Sequence, residues 1–173
     1  MSQNAFRSAM VFPSDWGWMQ LIWCEDRLSH LTLGHPSSAA AWNSGASAQP
    51  ADPPPKLQTL ADRLQAYAGG ADDDFLDVEL DLTHLTAFQS SVVARCRRIP
   101  LGETLSYGEL AAKAGSPGAA RAVGNVMAKN RFPIIVPCHR VVGSGGALGG
   151  FSAPEGITLK QRMLERESCL LAR

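Results

Sequence analysis

The run Pro137-Cys138-His139-Arg140 places a thiol beside an imidazole and a guanidinium at the end of an apolar stretch, Ile134-Ile135-Val136. A thiol is a useful nucleophile only as thiolate, and with an unperturbed pKa of roughly 8.5 little thiolate exists at neutral pH. His139 as a base, with Arg140 as a positive neighbour, could supply what is missing and make Cys138 a covalent nucleophile. The apolar stretch reads as a buried strand meeting the loop that carries this pair. An inert core cysteine beside a surface histidine would have the same local sequence, so the rest of the chain has to decide. A catalytic imidazole also wants an acceptor to orient it; Glu165 and Glu167, on an expected C-terminal helix over residues 158–167, are the two carboxylates that could serve.

The elements that must position this pair fall into two sets. Residues 17–23 and 28–33 read as two short strands joined through Glu25-Asp26-Arg27, a hairpin in which Trp16, Trp18 and Trp23 supply bulk. Residues 43–55 are rich in Ser, Ala, Gly and Pro and read as an exposed loop or linker. Leu57, Leu60, Ala61, Leu64 and Ala68 recur at helical spacing before Gly69-Gly70, and Leu76, Val78, Leu80 and Leu82 alternate with charged residues as in a half-buried strand. From residue 87 the pattern turns helical. Phe88, Val92, Cys96 and Ile99 share one face, broken at Pro100-Leu101-Gly102. Ser106-Tyr107-Gly108-Glu109 has the S-x-x-E form of a capping box and opens a second helix. Ser116-Pro117, read as N-cap and first turn, opens a third that runs to about Lys129. Two helices joined by a short glycine-containing turn predict a helix-turn-helix, or else an ordinary helical hairpin. The small residues Gly118, Ala119, Ala120 and Ala122, with Arg121 as the one long basic side chain among them, would let such a helix approach a groove closely.

The chain has 173 residues, 45% of them apolar, enough for one ordinary domain or two small ones. No apolar run approaches the roughly 18 residues that span a bilayer, and the first residues lack the pattern of a secretory signal, so the expected location is the cytoplasm, with access to DNA and no membrane partner. The net charge of +0 conceals a division. Residues 1–87 hold 4 Lys/Arg against 11 Asp/Glu, and residues 88–173 hold 12 against 5, formal charges of −7 and +7. A polyanionic partner for the second half would explain this, as would mutual neutralisation of the halves. The four cysteines, Cys24, Cys96, Cys138 and Cys169, show no paired spacing and read as reduced thiols, Cys96 as a core residue.

Tyr107, the stretch Ala119-Ala120-Arg121-Ala122-Val123-Gly124, Asn130, Pro137-Cys138-His139-Arg140-Val141-Val142 and Glu167 stand in an order that resembles the O6-alkylguanine-DNA alkyltransferases, strongly over residues 88–167 and loosely before. That family moves an alkyl group from guanine onto its own cysteine, once per molecule. The resemblance implies an α/β (α+β) chain in two parts. Residues 1–86 would form a small scaffold domain with antiparallel strands, ribonuclease H-like, and residues 87–173 a helical, winged-helix-like domain that binds DNA and carries the chemistry. It further implies double-stranded DNA containing alkylated guanine as the partner, O4-alkylthymine as a conceivable second substrate, no cofactor, and a monomer. Cys24, His30 and His84 could give three ligands to the structural zinc that some members carry, one fewer than such a site wants.

Among site residues the resemblance implies Cys138 as nucleophile, His139 as base and Glu167, rather than Glu165, as its orienting carboxylate. Asn130 would tie the recognition helix to the cysteine loop. Tyr107 would press on the rotating phosphate and then bond the flipped base, and Arg121 would fill the gap left in the duplex. Val141 would offer its carbonyl to the guanine amino group, and Ser152, in a glycine-rich lid, would donate near the leaving oxygen. Arg140 is placed with the DNA-binding residues. Three positions depart from the family pattern: Arg131 replaces a frequent proline, Phe151 a frequent tyrosine, and Val93 a usual aromatic. A non-catalytic relative that binds alkylated DNA is the nearest alternative, and Cys138 counts against it. A regulator that signals through cysteine alkylation and a cysteine hydrolase are more distant.

Overall fold

A computed structural model describes residues 7–44 and 47–172. It separates into two compact units, one running to residue 73 and including 79–81, the other made of 74–78 and the chain from 82 onward. Both mix helix and strand.

The first unit is a four-stranded sheet in the order β3-β2-β1-β4, with β1 Ser8–Phe12, β2 Trp18–Cys24, β3 Arg27–His35 and β4 Gln49–Pro50, flanked by α1 Ser38–Trp42 and α2 Pro55–Ala68. The hairpin expected from sequence is β2–β3, antiparallel with Leu21 opposite Leu31. β1 and β4 were not legible, one short and the other two residues long. The α2 face of Leu57, Leu60, Leu64 and Ala68 is buried as its spacing requires, and Trp16 meets Tyr67 edge-on at 5.5 Å.

The alternating stretch 76–82 is not a strand. Leu80 makes one isolated bridge to Leu28, and Leu76 is 48% exposed. Within the second unit Arg97 Nη2 donates to the carbonyls of Phe75 (2.6 Å), Leu76 (3.2 Å) and Val78 (3.1 Å), so these backbone acceptors are bonded to a guanidinium instead of a neighbouring strand.

The second unit carries α3 Ala87–Cys96, β5 Leu105–Ser106, α4 Tyr107–Lys113, α5 Ala120–Ala128, β6 Val141–Val142 and α6 Ile157–Leu171. Capping boxes start α3 at Thr86/Gln89 and α4 at Ser106/Glu109, the second as the S-x-x-E pattern predicts. The α5 start differs from expectation. It is capped by Ala119 without a side-chain bond, and Ser116-Pro117 lies in the turn between α4 and α5, where Gly115 and Gly118 adopt φ of 83° and 88°. Two left-handed glycines reverse the chain before the helix can begin.

The candidate active site

A two-residue parallel pair sets the site. β5 and β6 align Leu105 with Val141 and Ser106 with Val142, which brings the first residue of α4, Tyr107, beside the segment that follows Cys138. The stretch Ile134-Ile135-Val136 is buried, but as a turn and not as a strand. The Val136 amide bonds the Phe132 carbonyl at 2.8 Å and the Cys138 amide bonds the Val136 carbonyl at 2.7 Å. Pro137, at φ −75° and ψ 66°, is the centre of an inverse γ-turn. A single 3₁₀ turn, Cys138–Arg140, follows. Ile134 sits at φ 74°, a conformation that a β-branched residue adopts only when its surroundings enforce it. Asn130, two residues beyond α5, supplies the enforcement: its Nδ2 donates to the Val136 carbonyl at 2.9 Å and its Oδ1 accepts from the Phe132 amide at 3.0 Å.

The thiol and imidazole are adjacent in sequence but not bonded to each other. His139 is fully buried, and its Nε2 lies 2.7 Å from Glu167 Oε1. Burial holds the His139 pKa below its ordinary value despite that carboxylate. Burial works against ionised Glu167, yet its bonds to His139 and Arg140 hold its carboxyl well below the usual range. A neutral ring facing an ionised, acceptor-only carboxylate must carry its proton on Nε2. The lone pair is therefore on Nδ1, which is buried and has no hydrogen-bond partner.

Cys138 is 7% exposed, and burial pushes its thiol pKa up. The groups that pull it back are the Asn130 side chain, which bonds the sulfur, the Lys160 ammonium and the backbone of Cys138 and His139; the His139 imidazole is not among them. Direct contact with the imidazole, the simplest reading of the sequence, is thus absent: the thiol is bonded by Asn130, and His139 Nδ1 is left without a partner.

Glu167 is the node that α6 delivers. Its Oε2 accepts from the Gly102 amide at 3.0 Å, where Gly102 turns with φ 77°, and both oxygens accept from Arg140 Nε. Arg140 Nη2 bonds Oε1 at 2.9 Å, and Nη1 bonds the Ile99 carbonyl at 2.6 Å. Arg140 is 5% exposed, so its placement with the DNA-binding residues is corrected: it holds the carboxylate. Glu165 is exposed and bonded to Gln161, which removes it as the orienting group.

Lys160 was missed. It is 1% exposed and donates to the Val141 carbonyl at 2.7 Å, the same carbonyl expected to meet a guanine amino group. The signal was available, because the buried stripe of α6 reads Leu159, Lys160, Met163, Glu167. Charged residues on an apolar stripe must be paired, and pairing at a site is a functional sign.

The rim of the site is exposed. Tyr107 is half-buried and close enough to Cys138 for a thiolate there to raise the phenol pKa, after the larger effect of its own burial. A methyl group added at Gly149 would come 2.6 Å from the Tyr107 hydroxyl, so the backbone of this glycine-rich loop lies against that oxygen. Ser152 Oγ donates to the Ala128 carbonyl at 2.8 Å and tethers the loop to the end of α5. Arg121 stands exposed in the first turn of α5, on a face with Ala122, Asn125, Ala128 and Lys129. Of the three zinc ligands considered above, Cys24 and His30 lie in the first unit and His84 in the second. No described helix is long and apolar enough to cross a membrane.

Residues 87–169 match the family model described as the 6-O-methylguanine DNA methyltransferase DNA-binding domain. The chain is 48% identical over 114 residues to the methylated-DNA–protein-cysteine methyltransferase of Mycobacterium tuberculosis, 66% of this chain and 67% of the relative. The Methanothermobacter thermautotrophicus protein of the same name is 38% identical over 119 residues, 69% of this chain and 65% of the relative. The crystal structure of Mycobacterium tuberculosis OGT in complex with DNA superposes with a TM-score of 0.78 at 38% identity, over 94% of each chain. The matched family model, the 48% identity to a relative covered over two thirds of its length and the superposition over 94% of each chain place this chain in the methylated-DNA–protein-cysteine methyltransferase family.

Proposed function

We propose that this protein reverses O6-alkylation of guanine in double-stranded DNA by a single transfer of the alkyl group to Cys138. The observation that carries the reading is the buried, partnerless Nδ1 of a neutral His139 whose other nitrogen is held by Glu167. The Cys138 proton passes to Nδ1 through one intervening water, the usual reach of a general base. The thiolate, faced by Lys160 and Asn130, attacks the alkyl carbon in line. A carbon–sulfur bond forms, the bond from that carbon to O6 breaks, and the electron pair and a proton return to the guanine. The product is a thioether that no group in the site can reverse, so each molecule acts once.

The alkyl carbon is unreachable inside a stacked duplex, and rotating the nucleotide out costs a few kcal/mol. In our reading α4 and α5 are a helix-turn-helix in a winged-helix-like domain of residues 87–173. Arg121 fills the space the base leaves, and the small residues of α5 allow the groove to close on the helix. Tyr107 acts on the rotating phosphate and then on the base, Val141 offers its second lone pair to the guanine amino group, and Ser152 leaves Ala128 for the base edge. Residues 1–86, ribonuclease H-like, serve as a scaffold. The reaction as written requires no cofactor, and the setting is cytoplasmic with access to the nucleoid. O4-alkylthymine, which offers a similar alkyl carbon, is a second candidate substrate.

The test is incubation with a duplex containing O6-methylguanine followed by intact-protein mass measurement. The expected result is one added methyl group per chain, mapped to Cys138 and absent from Cys138→Ala. Tight binding with no mass change would instead mark a damage-binding protein.

A further inference from the structure

A cavity of about 200 Å³ opens in the second unit, between the start of α3 and the end of α5. Its walls include Leu82, Val93, Val126 and Phe132, and its polar edge carries His84, Lys129 and Arg131. An apolar cavity of about 150 Å³ holds one benzene molecule, and drug-sized pockets start near 300 Å³. The space therefore fits one ring with one substituent. No aspartate or glutamate lines it, and neither Lys129 nor Arg131 pairs with a carboxylate among the described residues. The substituent it would select is an anion.

Two of the positions where this chain departs from the pattern it resembles meet here. Val93 forms part of the apolar wall, and Arg131 puts a guanidinium at the polar edge. Asn130 is also a wall of the cavity, and it is the residue that clamps the cysteine turn and bonds the sulfur of Cys138.

We propose that this cavity is a binding site for a small aromatic carboxylate, its ring against Val93 and Phe132 and its charge toward Lys129 and Arg131. Occupancy is felt at Cys138. A negative charge on the far side of Asn130 disfavours the thiolate, as any like charge does, and displaces the amide that stabilises it. The site depends on the cavity alone and not on the alkyl-transfer reading.

The probe is benzoate, titrated into the ¹⁵N-labelled full chain, with benzyl alcohol as the neutral isostere. The expected result is saturable shifts at Val93, Val126, Phe132 and the Asn130 side-chain amide. The alcohol should bind about tenfold more weakly because it lacks a charge-assisted bond. The Lys129→Gln/Arg131→Gln double variant should lose about tenfold in benzoate affinity. Val93→Trp should abolish binding by filling the space; if that variant does not fold, the double variant, altered only at the polar edge, still decides. Carbamidomethylation of Cys138 by iodoacetamide, followed at its own peptide, should slow about two- to fivefold at saturating benzoate. Equal affinity for acid and alcohol, shifts that miss Asn130 and Phe132, or a double variant that titrates like the parent would overturn the site. An unchanged alkylation rate at saturation would overturn its link to Cys138. Methyl transfer from a modified duplex is a separate measurement, and its failure would leave this titration intact.

Discussion

The Glu167 node and the outer face of α5 lie in the same unit and follow opposite rules. At the node, His139, Arg140, Lys160 and Glu167 are all at most 5% exposed, and the carboxylate is met by an imidazole, a guanidinium and a backbone amide. On α5 and its C-cap, Arg121, Ala122, Asn125, Ala128 and Lys129 are exposed, and Arg121 holds no partner among the described residues. The first region has to hold a ring nitrogen and a sulfur at fixed positions without help from the substrate, so its order is built in advance. The second acquires its partner only on binding, and pre-formed bonds there would have to be broken first. On the proposed function, burial marks the residues that prepare the sulfur, and exposure marks those that meet the nucleic acid.

That contrast predicts the largest damage at the node. Glu167→Gln keeps the shape but leaves the Arg140 guanidinium buried without its counter-charge, which costs about 3–5 kcal/mol of unfolding free energy. The amide would also free the His139 tautomer, lowering the transfer rate about 10²-fold or more in line with the loss of a positioned general base. Both are measurable, by denaturant unfolding and by single-turnover transfer. A variant that is stable and fully active would mean that the node is not what prepares Cys138. Next in size is Asn130→Ala, which removes two hydrogen bonds from a turn holding Ile134 in a strained conformation. About 2 kcal/mol of stability should go at roughly 1 kcal/mol per bond. The Cys138 thiol should titrate higher, seen as slower iodoacetamide reaction at fixed pH, because the amide that bonds the sulfur is gone.

Acid should erode the node before it touches α5. The folded His139 pKa is depressed by burial, so below about 6.5 the unfolded chain takes up a proton that the folded one refuses. The unfolded state then binds more protons, and stability falls as pH drops through this range. Glu167, also depressed, adds loss of the same sign below about 4.3. The melting temperature should therefore decline from near pH 6.5 downward, and His139→Gln should flatten the first part of that decline. An equally steep fall in the variant would place the titrating group elsewhere.

The two regions also differ in how much of them the sequence discloses. Cys138 and His139 stand out because few residue types do such chemistry, Glu167 is told from Glu165 only by the resemblance, and the S-x-x-E box at Ser106 is legible because capping is a local rule. Lys160 and Arg140 are not legible in their true roles, since what makes a lysine or arginine structural is the set of acceptors that the fold brings to it. The α6 stripe of Leu159, Lys160, Met163 and Glu167 carries the clue only when charge on an apolar face is taken as a demand for partners. The helical spacing of α2 and α3 survives because it is periodic over several turns, whereas β1, β4 and the start of α5 rest on pairings and glycine turns that leave no period. Residues 76–82 mislead for the complementary reason. Their alternation is real, but Arg97 captures the carbonyls a strand would need.

Arg121→Ala is the smallest of these changes for the fold and the sharpest for the comparison. The side chain is exposed and unpaired, so unfolding free energy should stay within about 0.5 kcal/mol of the parent. Affinity for duplex DNA should fall, and the slope of log affinity against log salt should drop by about one, as for the loss of a single cation at the phosphates. Transfer from a duplex containing O6-methylguanine should weaken, because nothing fills the space of the extruded base, while reaction with the free methylated base should be nearly unchanged. Equal loss on duplex and free base would assign Arg121 to the preparation of the sulfur and dissolve the distinction between a buried node and an exposed reading face. Loss on the duplex alone keeps the two apart, with the chemistry in place before DNA arrives and the DNA deciding only which carbon reaches it.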